Sequence, residues 1–156
     1  MTGYIERMRE MVGTETLLTV GCGAIMEDEY GRILLQKRTD RGTWGIPGGL
    51  LEIGDTFEST VKREVEEETG LMLLDLQLFG IYSGEKGYAT YENGDRVFSI
   101  QIIFCTKGFE GKLTINHESQ KQRFFSKEEI FEEKLNPHQA PFIKDWISGS
   151  APPFIR

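Results

Sequence analysis

The chain has few cysteines and no long apolar run. Its two cysteines, Cys22 and Cys105, lie in apolar, strand-like stretches, so we expect buried free thiols rather than a disulfide, in keeping with a reducing compartment. No run of about 18 apolar residues occurs, and the N-terminal segment has mixed charge without a long apolar centre, which indicates neither a membrane span nor a secretion signal. We therefore expect a cytoplasmic protein.

Basic residues are fewer than acidic residues in this chain. The chain has 18 Lys and Arg against 25 Asp and Glu, a formal net charge of −7. This balance argues against broad binding to nucleic acid or to anionic membrane surfaces, although it leaves room for a local basic pocket. With 156 residues, 38% of them hydrophobic, the chain has the size and composition of one domain with a proper core, so we expect a single domain over residues 1–156.

The periodicity of apolar residues and the turn signals predict a mixed order of strands and helices. The predicted elements are an N-terminal helix within residues 1–14, strands at 17–26, 32–37, 71–82 and 122–125, a hairpin joining 88–91 to 96–106, a short helix with a capping box from Ser126 to Glu129, and a last helix from Asn136-Pro137 toward Trp146. We expect little structure in the tail, residues 151–156. Hairpins without regular βαβ repetition indicate the α+β class.

Residues 48–71 form the most informative segment, a glycine pair followed by a glutamate-rich helix. At 3.6 residues per turn, Glu64, Glu67 and Glu68 fall within an arc of about 100°, so three carboxylates converge on one edge of the helix. Like charges at this spacing repel each other, and a cation should compensate them. Hard oxygen ligands suit Mg²⁺ or Mn²⁺, which bind a few carboxylates and take other ligands from water and substrate phosphates.

The flanking residues of this segment predict a loop, a helix and a second loop. Gly48 and Gly49 let the backbone pass close to an ion or a phosphate where a Cβ would intrude. Thr56 can cap the start of the helix, and Gly70 supplies the left-handed residue that ends it. Glutamate-rich helices are usually solvated faces and glycine pairs are usually turns, but their joint spacing favours a metal and phosphate site.

The segment closely resembles the Nudix box, G-x5-E-x7-R-E-U-x-E-E-x-G-U, where U is an aliphatic residue. The residues that match in register are Gly49, Arg63, Glu64, Val65, Glu67, Glu68, Gly70 and Leu71. Asp55 departs from the pattern, which has Glu at this position. Asp keeps the carboxylate charge, but its side chain is one methylene shorter, so the difference affects how far the carboxylate reaches. The resemblance implies the Nudix fold, a mixed β-sheet sandwiched between α-helices, with the box helix packed on the sheet and the active site at its edge.

The resemblance also implies roles for the box residues in hydrolysis of a diphosphate. Glu64, Glu67 and Glu68 would carry the Mg²⁺ or Mn²⁺, with the carbonyl of Gly48 as a further ligand, and Arg63 would orient Glu64 or a neighbouring carboxylate.

Two glutamates compete for the role of general base, because Nudix enzymes use either a box glutamate or one from a later loop. The candidates are Glu64 and Glu118. His117, beside Glu118, is a weaker alternative, since a lone loop histidine is usually just exposed.

Four residues outside the box are candidates for substrate binding. Lys37 and Arg38, at the end of a strand, could meet phosphate oxygens, although basic residues there are mostly solvated. Trp44 and Tyr82 could each stack on a base, yet each fits the core or its rim equally well. No pattern in the sequence separates one nucleotide substrate from another.

The leading functional prediction is a Mg²⁺-dependent Nudix pyrophosphohydrolase that cleaves the diphosphate linkage of a nucleoside diphosphate joined to another moiety, or of a related nucleotide. One alternative acts on the 5′ end of RNA, which would need a basic groove that the acidic total disfavours. Another is a module that senses a nucleotide without turnover, for which Asp55 is the only hint. A purely structural protein would leave the clustered charge unexplained. Homodimerisation is common in the resembled family, but the sequence itself does not decide it.

Overall fold

The computed structural model describes residues 3–39, 41–116 and 119–156, which form the predicted α+β architecture. The helices are α1 Tyr4–Val12, α2 Phe57–Thr69, α3 Lys127–Ile130 and α4 Ala140–Ser148, with a 3₁₀ turn at Glu85–Gly87. The strands are β1 Leu17–Met26, β2 Ile33–Arg38, β3 Trp44–Gly45, β4 Gly48–Leu50, β5 Leu71–Leu73, β6 Gln77–Tyr82, β7 Tyr88–Thr90, β8 Arg96–Thr106, β9 Phe109–Gly111, β10 Ser119–Phe125 and β11 Phe154–Ile155.

The main sheet is mixed. Its strand order is β11-β6-β8-β1-β4, and β7 pairs with β8 as the predicted hairpin. β1 and β8 run parallel along their length, whereas β4 pairs antiparallel with β1 and β6 antiparallel with β8. The remaining strands form two smaller sheets, β10-β2-β3 and β5-β9. This arrangement places β4, which carries the glycine pair, at one edge of the main sheet.

Helices cover both faces of the main sheet. Because side chains alternate along a strand, Cys22 and Ala24 of β1 pack toward the box helix α2, against Val61 and Val65. Ile25, on the other face, joins a core cluster that contains buried residues of α4. The predicted sheet between helices is therefore confirmed.

Local signals fixed the ends of the box helix α2. The Thr56 side chain accepts a hydrogen bond from the Ser59 backbone N–H, and the Ser59 hydroxyl bonds the Thr56 N–H in return, which makes a reciprocal capping box. Gly70 ends the helix at φ 77°, as predicted. A Cβ at Gly70 would lie 2.7 Å from the Lys112 carbonyl oxygen, so both the conformation and the space favour glycine.

Three predicted elements were wrong in detail. The strand expected over 71–82 is two strands, β5 and β6, which pair in different sheets. The last helix begins at Ala140 rather than Asn136, because the Asn136 side chain and carbonyl accept hydrogen bonds from the N–H groups of His138 and Gln139 and hold a turn there. The tail is ordered, since Phe154 is buried and β11 pairs parallel with β6.

The expectation that both cysteines are free thiols is confirmed. Cys22 is a buried free thiol, and Cys105 is a half-buried one. None of the helices formed by the described residues has the length and apolar character needed to cross a bilayer.

Candidate functional site

The glycine pair of β4 meets the box helix through Glu68. Glu68 is buried, and its Oε2 accepts hydrogen bonds from the Gly48 backbone N–H at 2.9 Å and from the Gln36 side-chain amide at 3.2 Å. A buried carboxylate needs such donors, because an unpaired buried charge is costly. Glu68 therefore fixes the position of Gly48 and Gly49, which we call the glycine loop, relative to α2.

Both glycines lie where a side chain has no room. A Cβ at Gly49 would overlap the Glu64 carboxylate and lie 2.6 Å from the Glu64 Cγ. A Cβ at Gly48 would lie 2.7 Å from the Gly23 Cα and would overlap the backbone of Cys22. The predicted close approach is thus present, and the group that approaches Gly49 is the Glu64 side chain.

Arg63 joins the acidic residues into one charged group. Its Nη1 donates to the Asp55 Oδ2 at 2.8 Å, and its Nη2 lies 3.8 Å from the Glu64 Oε1. The hydrogen bond to Asp55, followed by the negative charges of Asp55, Glu64 and Glu67, raises the pKa of Arg63. The shorter Asp55 side chain therefore still reaches Arg63.

The acidic edge of α2 provides oxygen donors of the kind that Mg²⁺ prefers. Glu64 is half-buried and Glu67 is exposed, beside the buried Glu68. Within residues 3–39, 41–116 and 119–156, no three side chains of His, Cys, Asp or Glu already lie close enough to form a metal cage. Mg²⁺ usually takes one or two carboxylates plus water and substrate phosphates, so the donor set fits a divalent ion that completes its shell from the substrate.

A cleft of about 200 Å³ adjoins the glycine loop. Its lining includes Gly48, Gly49, Glu68, Arg38, Arg41, Tyr91, Ser99, Gln101, His138 and Gln139. Arg38, a predicted phosphate-binding residue, lies in this cleft, whereas the half-buried Lys37 is not part of the lining. The cleft therefore combines acidic and basic groups along one surface.

The predicted stacking roles of Trp44 and Tyr82 do not fit the structure. Trp44 is buried edge-on against Phe125, with ring centroids 4.7 Å apart. Tyr82 is buried against Phe142, and its hydroxyl donates to the Asp145 Oδ2 at 2.8 Å. Both rings belong to the core, so protein atoms already occupy the faces that a base would need.

Sequence reasoning missed three residues at the cleft. Gln36 donates to Glu68. Arg41 lies over the Tyr91 ring, 5.4 Å from its centroid, and both residues line the cleft. No local pattern marks any of them, because Gln36 acts through a contact with another element and Arg41 and Tyr91 come from separate loops.

The second candidate base, Glu118, and its neighbour His117 lie outside the described residues. The chain on either side of them lies against α2, since the Asn116 amide donates to the Glu67 carbonyl at 3.5 Å and the Gln122 amide donates to the Glu68 carbonyl at 2.7 Å.

Cys22, which also lines the cleft, is no candidate for a nucleophile. Burial raises the pKa of the Cys22 thiol to about 11, so the thiol stays protonated near neutral pH.

Comparison with known proteins gives a consistent result. A model of the NUDIX domain matches residues 17–146. The ADP-ribose pyrophosphatase of Methanocaldococcus jannaschii is 32% identical over 130 residues, which cover 82% of this chain and 72% of that protein. The nucleoside triphosphatase NudI of Escherichia coli K12 is 30% identical over 126 residues, 76% of this chain and 88% of that protein. The structure of a MutT NUDIX hydrolase from Burkholderia pseudomallei is 26% identical, with a TM-score of 0.69 over 81% of this chain and 96% of that one.

Proposed function

The chain belongs to the NUDIX domain family of hydrolases, and from this premise we propose that it is a pyrophosphohydrolase, dependent on Mg²⁺ or Mn²⁺, that cleaves the diphosphate linkage of a nucleoside diphosphate joined to another moiety, or of a related nucleotide. The observation that carries the proposal is the packing of Glu64 on Gly49 beside the bond from the Gly48 N–H to Glu68. This contact brings two carboxylates next to backbone that carries no side chain, which supports a site for a metal ion and a phosphate.

Glu64, Glu67 and Glu68 would hold the metal ion, with the carbonyl of Gly48 as a further ligand. When bound, the ion offsets the negative charge of the diphosphate and makes a bound water more acidic. Glu68 has a second role as a positioning residue, because its bonds to Gly48 and Gln36 hold the glycine loop on the helix.

Arg63 acts as a positioning residue for Glu64. Its guanidinium is held by Asp55 at 2.8 Å and lies 3.8 Å from Glu64. The charge-assisted hydrogen bond to Asp55 fixes the orientation of the guanidinium, which then faces Glu64 as an ion pair. The hint for the non-catalytic sensing alternative was Asp55, and the contact of Asp55 with Arg63 weighs against that alternative.

The proton of the attacking water would go to Glu64 or to Glu118. Glu118→Gln separates the two: if Glu118 is the base, kcat falls sharply with little change in KM, and a wild-type rate assigns the role to Glu64. The contacts of Asn116 and Gln122 with α2 support keeping Glu118 as a candidate.

The cleft would take the nucleotide, with Arg38 as the first cationic contact for phosphate oxygens. The relatives named above act on ADP-ribose and on nucleoside triphosphates at similar identity, so the substrate panel should contain both classes. The test is release of monophosphate or pyrophosphate by the purified protein with Mg²⁺ or Mn²⁺ across nucleoside diphosphate sugars, dinucleotides, triphosphates and 5′-triphosphate RNA.

One strongly preferred, metal-dependent small substrate would support the proposal. Turnover of the RNA alone would assign the RNA 5′-end activity instead. Binding of nucleotides without any turnover by the folded protein would assign a sensing module. A single domain, a cytoplasmic location and homodimer formation stay predictions; light scattering checks the last of these.

A further inference from the structure

A second cavity of about 370 Å³ opens from the far end of the cleft. We call it the distal chamber, and its polar lining includes Lys86, Gln101, His138, Lys144, Asp145 and Arg156. It shares four residues with the cleft, namely Gly87, Ser99, Gln101 and His138. The two cavities therefore meet along a common boundary.

The register of the main sheet sets the direction from one cavity to the other. Leu50 of β4 pairs with Gly21, Gly21 pairs with Gln101, and Gln101 pairs with Tyr82 of β6. Strands in a sheet lie about 4.8 Å apart, so this row spans about 14 Å from the glycine loop to the wall of the chamber. The two cavities already meet at Gln101, which lies two strands, or about 10 Å, from Leu50. A substrate whose diphosphate lies at β4 can therefore direct a second phosphate on its ribose toward this boundary.

The shared boundary is held by contacts between two loops. The His138 Nδ1 donates to the Lys86 carbonyl at 2.5 Å, and the His138 backbone N–H donates to the Asn136 Oδ1 at 2.9 Å. A Cβ at Gly87 would lie 2.5 Å from the Ser99 carbonyl oxygen, so the Lys86 loop lies close to β8. These contacts fix the Lys86 backbone relative to the chamber.

The distal chamber has an excess of positive charge. Its carboxylate, Asp145, is already compensated, because it accepts two hydrogen bonds from the Arg156 guanidinium at 2.8 and 3.2 Å. Lys86 and Lys144 form no ion pair with any described residue. The chamber thus has the opposite sign to the glutamate edge of α2, at the other end of the same surface.

We propose that the distal chamber binds a second phosphate, a monoester that the substrate carries on the ribose beside its scissile diphosphate. This inference rests on the proposed function. Two lysines with free ammonium groups are suited to a dianionic phosphate, which each contacts as a point charge. The enzyme would therefore prefer nucleotides with an additional phosphate over otherwise identical ones without it.

Binding tests the chamber without any turnover. Calorimetry compares adenosine 5′-monophosphate with adenosine 2′,5′- and 3′,5′-bisphosphates on the wild-type protein and on the variant with both Lys86→Gln and Lys144→Gln. Because both lysines are exposed, we expect a preference of up to about fivefold per lysine for one bisphosphate, the upper end of what solvent-exposed charge pairs contribute. The double variant should bind all three ligands equally, and the Lys112→Gln control, also at an exposed position, should keep the preference.

Turnover then separates this inference from the proposed function. The matched pair is NADH and NADPH, compared by kcat/KM with Mg²⁺. A preference for the phosphorylated compound that disappears in the double variant supports the chamber. Equal binding of mono- and bisphosphates by the wild type, or a preference that survives the double substitution, overturns it. If bisphosphates are preferred but no compound on the panel is hydrolysed, the chamber stands and the hydrolase assignment falls.

Discussion

The side chain of Glu64 rests on the bare backbone of Gly49. A Cβ at Gly49 would lie 2.6 Å from both the Cγ and the Oε2 of Glu64. The glycine is thus matched to one carboxylate of the box helix, and the position of that carboxylate depends on the absence of a side chain in β4.

Gly49→Ala should displace Glu64 and lower turnover more than stability. The added methyl meets a half-buried side chain, so the helix can keep its core contacts while the carboxylate moves. We expect kcat to fall at least tenfold, or about 1.4 kcal/mol of transition-state stabilisation, with a small change in the melting temperature. Steady-state kinetics and calorimetry measure the two effects.

The matched control for Gly49→Ala is Gly108→Ala. A Cβ at Gly108 would have as its nearest neighbour the Asp75 Oδ2, at 3.0 Å, away from the cleft. Its kcat should be close to wild type. Wild-type kcat in Gly49→Ala would show that the position of Glu64 does not matter for turnover.

Glu67→Gln and Glu68→Gln should both abolish metal-dependent turnover but differ in stability. Glu67 is exposed, whereas Glu68 is buried and accepts bonds from Gly48 and Gln36. Loss of the charge in those bonds should cost Glu68→Gln about 1–2 kcal/mol of unfolding free energy, and Glu67→Gln close to none. Urea unfolding and phosphate release give both values.

The control for these two substitutions is Glu66→Gln, an exposed residue of the same helix. It should leave activity and stability near wild type. Equal activity of wild type, Glu67→Gln and Glu68→Gln would reject the assignment of the metal-binding carboxylates.

The sequence predicted the box helix well because the signals for its ends are local. Thr56 and Gly70, the predicted end signals, lie next to the helix that they cap. The acidic edge of α2, the predicted metal site, follows from helical periodicity alone, and the family comparison confirms the fold to which it belongs. The bonds from Gly48 and Gln36 to Glu68 could not be predicted, since they join elements distant in the chain.

The wrong predictions share a physical cause. The buried positions of Trp44 and Tyr82 depend on partners from distant elements, Phe125 and Phe142. The tail forms a strand because β6 offers a free edge, with the Arg156 N–H donating to the Ile81 carbonyl at 2.9 Å. Pairing of this kind leaves no local pattern in a two-residue strand.

Arg38→Gln should raise KM for nucleotides, while Lys37→Gln should not. Arg38 lines the cleft and Lys37 does not, although the two residues are adjacent on β2. We expect a rise in KM of about fivefold for Arg38→Gln, the size of one partly solvated charge contact. Equal KM values in the two variants would remove Arg38 from the substrate site.

Asp55→Glu should leave turnover near wild type. The extra methylene of Glu is not needed for the contact with Arg63, because the Asp55 Oδ2 already lies 2.8 Å from the Arg63 Nη1. Asp55→Ala, in contrast, should lower kcat severalfold, since Arg63 loses the bond that orients it toward Glu64. A large gain of activity in Asp55→Glu would show that the shorter side chain limits the natural site.

Asp145→Asn should make the free energy of unfolding less dependent on pH in the acidic range. The hydrogen bond from Arg156, and then the one from the Tyr82 hydroxyl, lower the pKa of Asp145 below its ordinary value of 3.8. A carboxylate whose pKa is lowered by folding adds stability that is fully present above the unfolded pKa and disappears as the pH falls through the folded one. Wild type should therefore be more stable than Asp145→Asn at pH 6, and the gap should narrow below about pH 4.

Urea unfolding at pH 6, 4 and 3 measures this gap, with Asp75→Asn as the control because Asp75 is exposed and forms no ion pair with the described residues. The control should follow the wild-type curve. A gap between wild type and Asp145→Asn that stays constant from pH 6 to pH 3 would show that the ionised form of Asp145 is not what holds Arg156 and the last strand in place. The pairing of β11 with β6 would then depend on the buried Phe154 ring and the backbone bonds alone.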